Sequence, residues 1–141
     1  MAGEEQKALY RRFVEKVINE GQFELVSEIF SADYLDHSAP PGAPGGFEGT
    51  IAVMSMFRTA FPDVHFTIIH MVSEGDIVAT FVTGEGTQDG PFLGLAPTGK
   101  HAIWNSAGFF RVTDGKIVEH WGIPDFFSLM GQLGAGPGAH P

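Results

Sequence analysis

A histidine, an Asp–His pair and a handful of aromatic residues carry whatever chemistry this chain has. His120 lies in the second arm of a hairpin over 104–125, WNSAGFFRVTDGKIVEHWGIPD. A free imidazole titrates at about 6.5, so it can give or take a proton at neutral pH. The plain alternative is a core histidine bonded to a neighbouring polar group. Asp36 and His37 are adjacent, just ahead of a Pro/Gly-rich stretch. A carboxylate held among apolar groups has a raised pKa and can serve as a base. Asp36 is therefore read as the partner of His120 or as an alternative base, against the simpler reading of an Asx-turn residue. His37 is read as a substrate-binding group.

Asp125 follows Pro124 where a last helix should begin. A carboxylate there complements the helix dipole and accepts backbone N–H bonds, which would also make it a poor base. It is read as structural. Trp104, Phe57, Phe61, Phe81 and Phe110 are candidates to line a pocket for a flat apolar ligand, with Ser106 as a positioning hydroxyl. Most of the 13 phenylalanines must nevertheless be core, and aromatic spacing alone does not separate the two roles.

Several classes of function are excluded. The chain has no cysteine, so disulfides, thiolate nucleophiles and Cys-rich zinc sites are out. His65 and His70 stand at odd separation on one expected strand and should face opposite sides. With no HxH or HExxH motif and no carboxylate cluster, no metal is expected. Gly84 and Gly86 precede no helix, so they are no dinucleotide fingerprint, and no GxSxG elbow is present. The formal charge is −9, and the 8 basic residues are scattered. Phosphate binding needs clustered Lys and Arg, so no nucleic-acid partner is expected. No apolar run approaches the length of a membrane span. The N-terminus MAGEEQKALYRR is mixed in sign and unlike a signal peptide. A cytoplasmic location follows by default.

The elements that must position these residues show in the periodicity. Tyr10, Phe13, Val14 and Val17 share a helical face, predicting a helix over 4–20 that Gly21 ends. Leu25, Val26, Ile29 and Phe30 predict a short helix over 23–30. The stretch 33–47, DYLDHSAPPGAPGGF, reads as a loop. Thr50 is placed to N-cap a helix over 51–61, which Pro62 stops. The period then becomes two. A strand over 64–72 is apolar on both faces and should be central in its sheet. A strand at 77–87 follows, then a turn-rich connection over 86–100. The hairpin turns at Asp114-Gly115, where both residues must reach φ > 0. A helix near 124–133 closes the domain, and 135–141 reads as a flexible tail. Helices followed by a four-stranded antiparallel meander make a single α+β domain.

The runs FPDVHFTI, GPFLGLAPTGK and FRVTDGKIVEHWGIPDFF resemble those of the SnoaL-like polyketide cyclases, in the nuclear transport factor 2-like superfamily. The resemblance extends from about residue 7 to residue 134. It implies a cone-shaped, curved antiparallel sheet packed on N-terminal helices around one pocket (a cystatin-like roll). That fold hosts cyclases, isomerases, hydroxylases and non-enzymes alike. The cyclases close a ring by an intramolecular aldol reaction without metal or cofactor, using an Asp as acid/base helped by a His. An ungapped match over FRVTDGKIVEHWGIPDFF places that Asp on Gly122 and that His on Gly108. A third pocket residue, an Asn, falls on Asp36, in a region that often reaches the pocket mouth in this superfamily. The same match turns His120, Trp104, Ser106 and Phe110 towards the pocket, and Asn105, Glu119 and Trp121 away from it.

The resemblance thus implies a small-molecule enzyme of cyclase or isomerase type. It would use cofactor-free acid/base chemistry on an apolar cyclic or polyketide-like substrate. The alternative is a non-catalytic binding member of the superfamily. Ile103, Phe109, Ile117 and Trp121 would form an apolar patch on the outer sheet face. Relatives commonly dimerise there, so a homodimer is expected.

Overall fold

Asp114 and Gly115 take φ values of 53° and 74°, the two left-handed residues of the turn that organises the sheet. This computed structural model describes residues 2–39 and 42–135. The tail expected over 135–141 lies outside the described residues from 136 onward.

Helix α1 (Ala2–Arg12) runs on as a π-helical segment, Phe13–Asn19, to Gly21. Together they occupy the span expected to be helical, with Tyr10, Phe13, Val14 and Val17 buried on one side. A short turn at Phe23–Leu25 leads into α2 (Val26–Ile29). Strand β1 (Phe30–Asp36) follows directly. The expectation of a loop from residue 33 was wrong here. The segment FSADYLD has no clean alternation, and its ladder partners come from a strand some 85 residues further on. Such pairing leaves no local trace.

Helix α3 (Gly46–Ala60) begins earlier than expected, with Gly45 as its N-cap. Thr50 is therefore inside the helix, where its hydroxyl donates to the Gly46 carbonyl at 3.5 Å. Strands β2 (His65–Glu74), β3 (Ile77–Thr87), β4 (His101–Thr113) and β5 (Lys116–Pro124) then pair in order. Helix α4 (Phe126–Gln132) closes the fold.

The sheet order is β1-β5-β4-β3-β2, with β1 parallel to β5 and the other pairs antiparallel. It is thus a five-stranded mixed sheet, not a purely antiparallel one. β2 is an edge strand, not the central one its two apolar faces suggested. Phe66 and Ile68 pack inward, while Ile69 and Val72 are exposed on the outer face. A register shift between Ile68 and His70 also puts His65 opposite Glu85 and His70 opposite Phe81. Both histidines therefore face outward, four ladder positions or about 13 Å apart, so they still cannot share an ion.

The helices cover the inner face and make two apolar clusters. One joins α1, the π-helical segment and α2 to β1 and the hairpin through residues such as Val17, Ile29, Phe30 and Ile117. The other joins α3 and α4 to β4 through Phe57, Phe61, Phe92, Trp104 and Leu129. Each fully buried Phe or Ile stabilises by about 1.5–3 kcal/mol. Between the clusters the inner face stays open.

Candidate active site

Inward positions alternate along three neighbouring strands. They are Val78, Thr80 and Val82 on β3, Trp104, Ser106, Gly108 and Phe110 on β4, and His120, Gly122 and Pro124 on β5. Seen across the ladder, Val78, Phe110 and His120 form one row, Thr80, Gly108 and Gly122 the next, and Val82, Ser106 and Pro124 a third. Helices α1 and α3 stand over these rows, and the space between them is a cavity of about 280 Å³. That is just below the ~300–1,000 Å³ that ligand pockets span.

Its far wall is apolar and aromatic. Phe57 and Trp104 stack at 6.1 Å between centroids and 14° between planes, with Phe66 edge-on to the Trp104 indole at 5.9 Å. Met54, Met56 and Phe126 complete that side, and half-exposed Leu93 stands at the rim. Trp104, Ser106, Phe57 and Phe110 all line the cavity. Phe61 does not. It is fully buried behind Trp104, 5.1 Å from the indole, and packs on Phe92 as core. Phe81 sits on the outer sheet face, 37% exposed.

The polar end is built by the parallel pairing of β1 with β5, which sets Asp36 opposite His120. His120 Nδ1 lies 3.1 Å from Asp36 Oδ1. The same oxygen accepts from the Ser38 backbone N–H at 2.9 Å and the Ser38 hydroxyl at 2.6 Å. So Asp36 is both an Asx-turn residue and the partner of His120. Burial works to raise its pKa, but the hydrogen bonds from His120 and Ser38 outweigh it and hold the carboxyl below its usual range. The expectation of a raised Asp36 pKa is therefore corrected. An ionised carboxylate only accepts, which puts the proton of a neutral His120 on Nδ1 and leaves Nε2 as the basic nitrogen. The ring also stacks on Phe110 at 4.3 Å and 14°.

His37 is not in the cavity. Adjacent strand residues point to opposite faces, so with Asp36 turned inward His37 turns outward. There its Nε2 meets Glu119 Oε2 at 2.6 Å and its ring stacks on Trp121 at 4.8 Å. Glu119 also accepts from Arg111 Nε at 3.1 Å, and Arg111 Nη1 bonds Asp76 at 2.7 and 2.8 Å. Asp125 lies outside the cavity lining and caps α4, accepting from the Ser128 N–H at 3.0 Å.

Three further hydroxyls share the polar end: Tyr10, Tyr34 and Thr80. Burial pushes the Tyr10 phenol up to about 12, with the Thr80 hydrogen bond lowering it in part. Burial, and then the Asp36 charge, push Tyr34 well up. Both phenols therefore stay protonated donors at neutral pH. None of the three was singled out from the sequence. Thr80 had a signal, as a lone polar residue among the inward positions of β3. The tyrosines did not, since Tyr10 sits on the apolar stripe of its helix and Tyr34 on the strand read as loop.

Among the described residues, no group of three or more His, Asp or Glu is arranged to hold a metal ion. No helix among them is long and apolar enough to cross a membrane.

A mixed sheet closed by helices over an apolar cavity, with an imidazole–carboxylate pair in its wall, is a nuclear transport factor 2-like fold. The SnoaL-like polyketide cyclase family model matches residues 8–133, and the chain belongs to that family. It is 30% identical over 129 residues to aklanonic acid methyl ester cyclase DnrD of Streptomyces peucetius, covering 89% of this chain and 88% of that one. Among solved structures, TsrD from Streptomyces laurentii superimposes with a TM-score of 0.87 at 27% identity, covering 94% and 97% of the two chains. IdmH from Streptomyces antibioticus gives 0.79 at 33% identity, covering 92% and 99%.

Proposed function

We propose that this protein is a cofactor-free enzyme that uses general acid/base catalysis on an apolar cyclic polyketide. His120 is the acid/base, Asp36 orients it, and Trp104, Phe57, Phe110 and Ser106 position the substrate. The observation that carries this reading is the His120–Asp36 pair at one end of an otherwise apolar, aromatic cavity.

In the cyclase form of the reaction, His120 Nε2 takes a proton from the carbon between two carbonyls. The enolate carbon attacks a ketone of the same molecule, making one C–C bond. The new alkoxide takes the proton back from the imidazolium, so the product is an isomer of the substrate. Asp36 stabilises the imidazolium, and the Tyr10, Tyr34 and Thr80 hydroxyls are donors within the same cavity for the developing oxyanion. Aklanonic acid methyl ester is the first substrate to try, because a relative of this length is named for it.

A second reading is a binding protein without turnover. It is favoured by the sequence resemblance, which implies that the acid/base positions of the cyclases are taken here by Gly122 and Gly108. The two readings separate in one experiment. The purified protein is mixed with aklanonic acid methyl ester and followed by thermal unfolding and by chromatography of the products. A raised melting temperature with formation of an isomeric product supports the enzyme, since a ligand that binds only the native state stabilises it. A raised melting temperature with unchanged ester supports the binder.

We also propose a homodimer through the outer sheet face. Val72, Phe81, Ile103, Phe109 and Ile123 are exposed there, and Phe109 stands opposite Trp121 in the ladder. An apolar patch of this kind usually marks an interface.

A further inference from the structure

The row Thr80–Gly108–Gly122 leaves a strip of bare backbone on the inner face of β4 and β5. Neither glycine has a positive φ, so the backbone conformation calls for glycine at neither position. What fills the strip is the His120 ring, which leans over from the row beside it. A Cβ built on Gly122 would stand 2.6 Å from His120 Nε2 and 2.7 Å from its Cε1, with Ser38 Oγ next at 3.3 Å. A Cβ on Gly108 would stand 3.4 Å from Nε2, but its nearest neighbour is the Trp121 carbonyl oxygen at 2.7 Å.

The two glycines therefore answer to different things. Gly108 answers to backbone packing between strands. Gly122 answers to the imidazole. The ring has no easy way to step aside. Its Nδ1 is bonded to Asp36, and its face lies on Phe110, which is itself backed by the Tyr10 ring at 4.7 Å. A side chain at position 122 and the present position of His120 exclude one another.

We infer that Gly122 is the seat of the His120 imidazole, a positioning residue that keeps Nε2 against the cavity wall while Nδ1 stays on Asp36. Calling it a positioning residue rests on the acid/base reading above. The seat itself is read from the ring and from stability, so the two can fail separately. In this chain the acid/base group can stand at 120 only because no side chain stands at 122.

The test uses the full chain. Long-range 1H–15N spectra resolve the imidazole nitrogens of the six histidines, and His120→Ala assigns the His120 signals. In the wild type they should show the neutral ring protonated at Nδ1. In Gly122→Ala those signals should move and lose that tautomer preference, while those of the other histidines stay in place. Gly→Ala ordinarily stabilises a strand. Here it should lower the melting temperature by roughly 5 °C in the wild type, and by much less in the His120→Ala background, where nothing is left to collide with. Should Gly122→Ala alone fail to fold, folding of the Gly122→Ala/His120→Ala double variant gives the same answer. Unmoved His120 signals, an equal loss in both backgrounds, or failure of both variants to fold would overturn the inference.

Discussion

Asp36 Oδ1 is 3.1 Å from His120 Nδ1, 84 positions further along the chain, and it receives two further bonds from Ser38. Three donors hold the carboxylate ionised, so in the proposed mechanism it orients and stabilises the imidazole and leaves the substrate proton to His120. Asp36→Asn keeps the shape but replaces the acceptor with an amide that can present its N–H instead. It should lower kcat on a turned-over substrate by on the order of 10²-fold, with KM changed much less. Steady-state kinetics on both proteins checks this.

The depressed Asp36 pKa also has a signature in stability. A carboxyl whose folded pKa lies below its unfolded value contributes stability above the unfolded value, and that contribution is lost as pH falls through the folded one. The window here is therefore the acid side, below about pH 4. Urea unfolding from pH 7 down to pH 2.5 should show the wild type losing more than Asp36→Asn. Equal losses would mean the Ser38 and His120 bonds do not favour the charged form.

Outside the cavity, His37 makes a contrast with its neighbour. Its ring pairs with Glu119 on the opposite face and is partly exposed. Exposed pairs contribute about 0–1 kcal/mol. His37→Ala should leave kcat/KM within about twofold of wild type and shift the unfolding midpoint only slightly. A large kinetic loss would mean that the two faces of the sheet communicate.

The connection from β3 to β4 hangs on Gln88, fully buried. Its Nε2 donates to the carbonyls of Gly90, Leu95 and Ala96, and its Oε1 accepts from the Thr98 N–H and hydroxyl. Gln88→Ala would strand several of these groups, and each orphaned buried polar group costs about 1–3 kcal/mol. The midpoint in urea should fall accordingly with little change of slope. A loss below about 0.5 kcal/mol would show that water replaces the amide.

The outer face gives a prediction about assembly. Phe109→Arg puts a charge in the middle of the exposed apolar row and should convert a dimer to monomer by light scattering, without lowering the melting temperature of the monomer. A wild type that is monomeric at tens of micromolar would refute the proposed interface.

The hairpin was legible because its signals are local: a dipeptide that tolerates φ > 0, then alternation that set Trp104, Ser106 and Phe110 on one face of their strand, while the family resemblance said which face, His120 included, turns inward. Helix faces were legible for the same reason. What did not show in the sequence depended on distant pairing. β1 gains its partners only from β5, so it read as loop, and with it went Tyr34 and the reason Asp36 meets His120. Register shifts were invisible too. One between Arg111 and Val112 puts Ile117 in the core, fully buried, where alternation placed it outside. Another brings His65 and His70 to one face. His37 is a different case, since neighbouring strand residues cannot both point into one pocket, and a strand at 30–36 would have said so.

The most direct test of the central claim is the rate of wild type and His120→Ala on aklanonic acid methyl ester, followed across pH. A positioned general base contributes about 10²–10⁴-fold. His120→Ala should lose kcat by that order while binding the ester nearly as well, and the fall in rate on the acid side, where protonation disables the base, should vanish from the residual profile. A variant that turns the ester over at the wild-type rate, with the same pH dependence, would contradict the account.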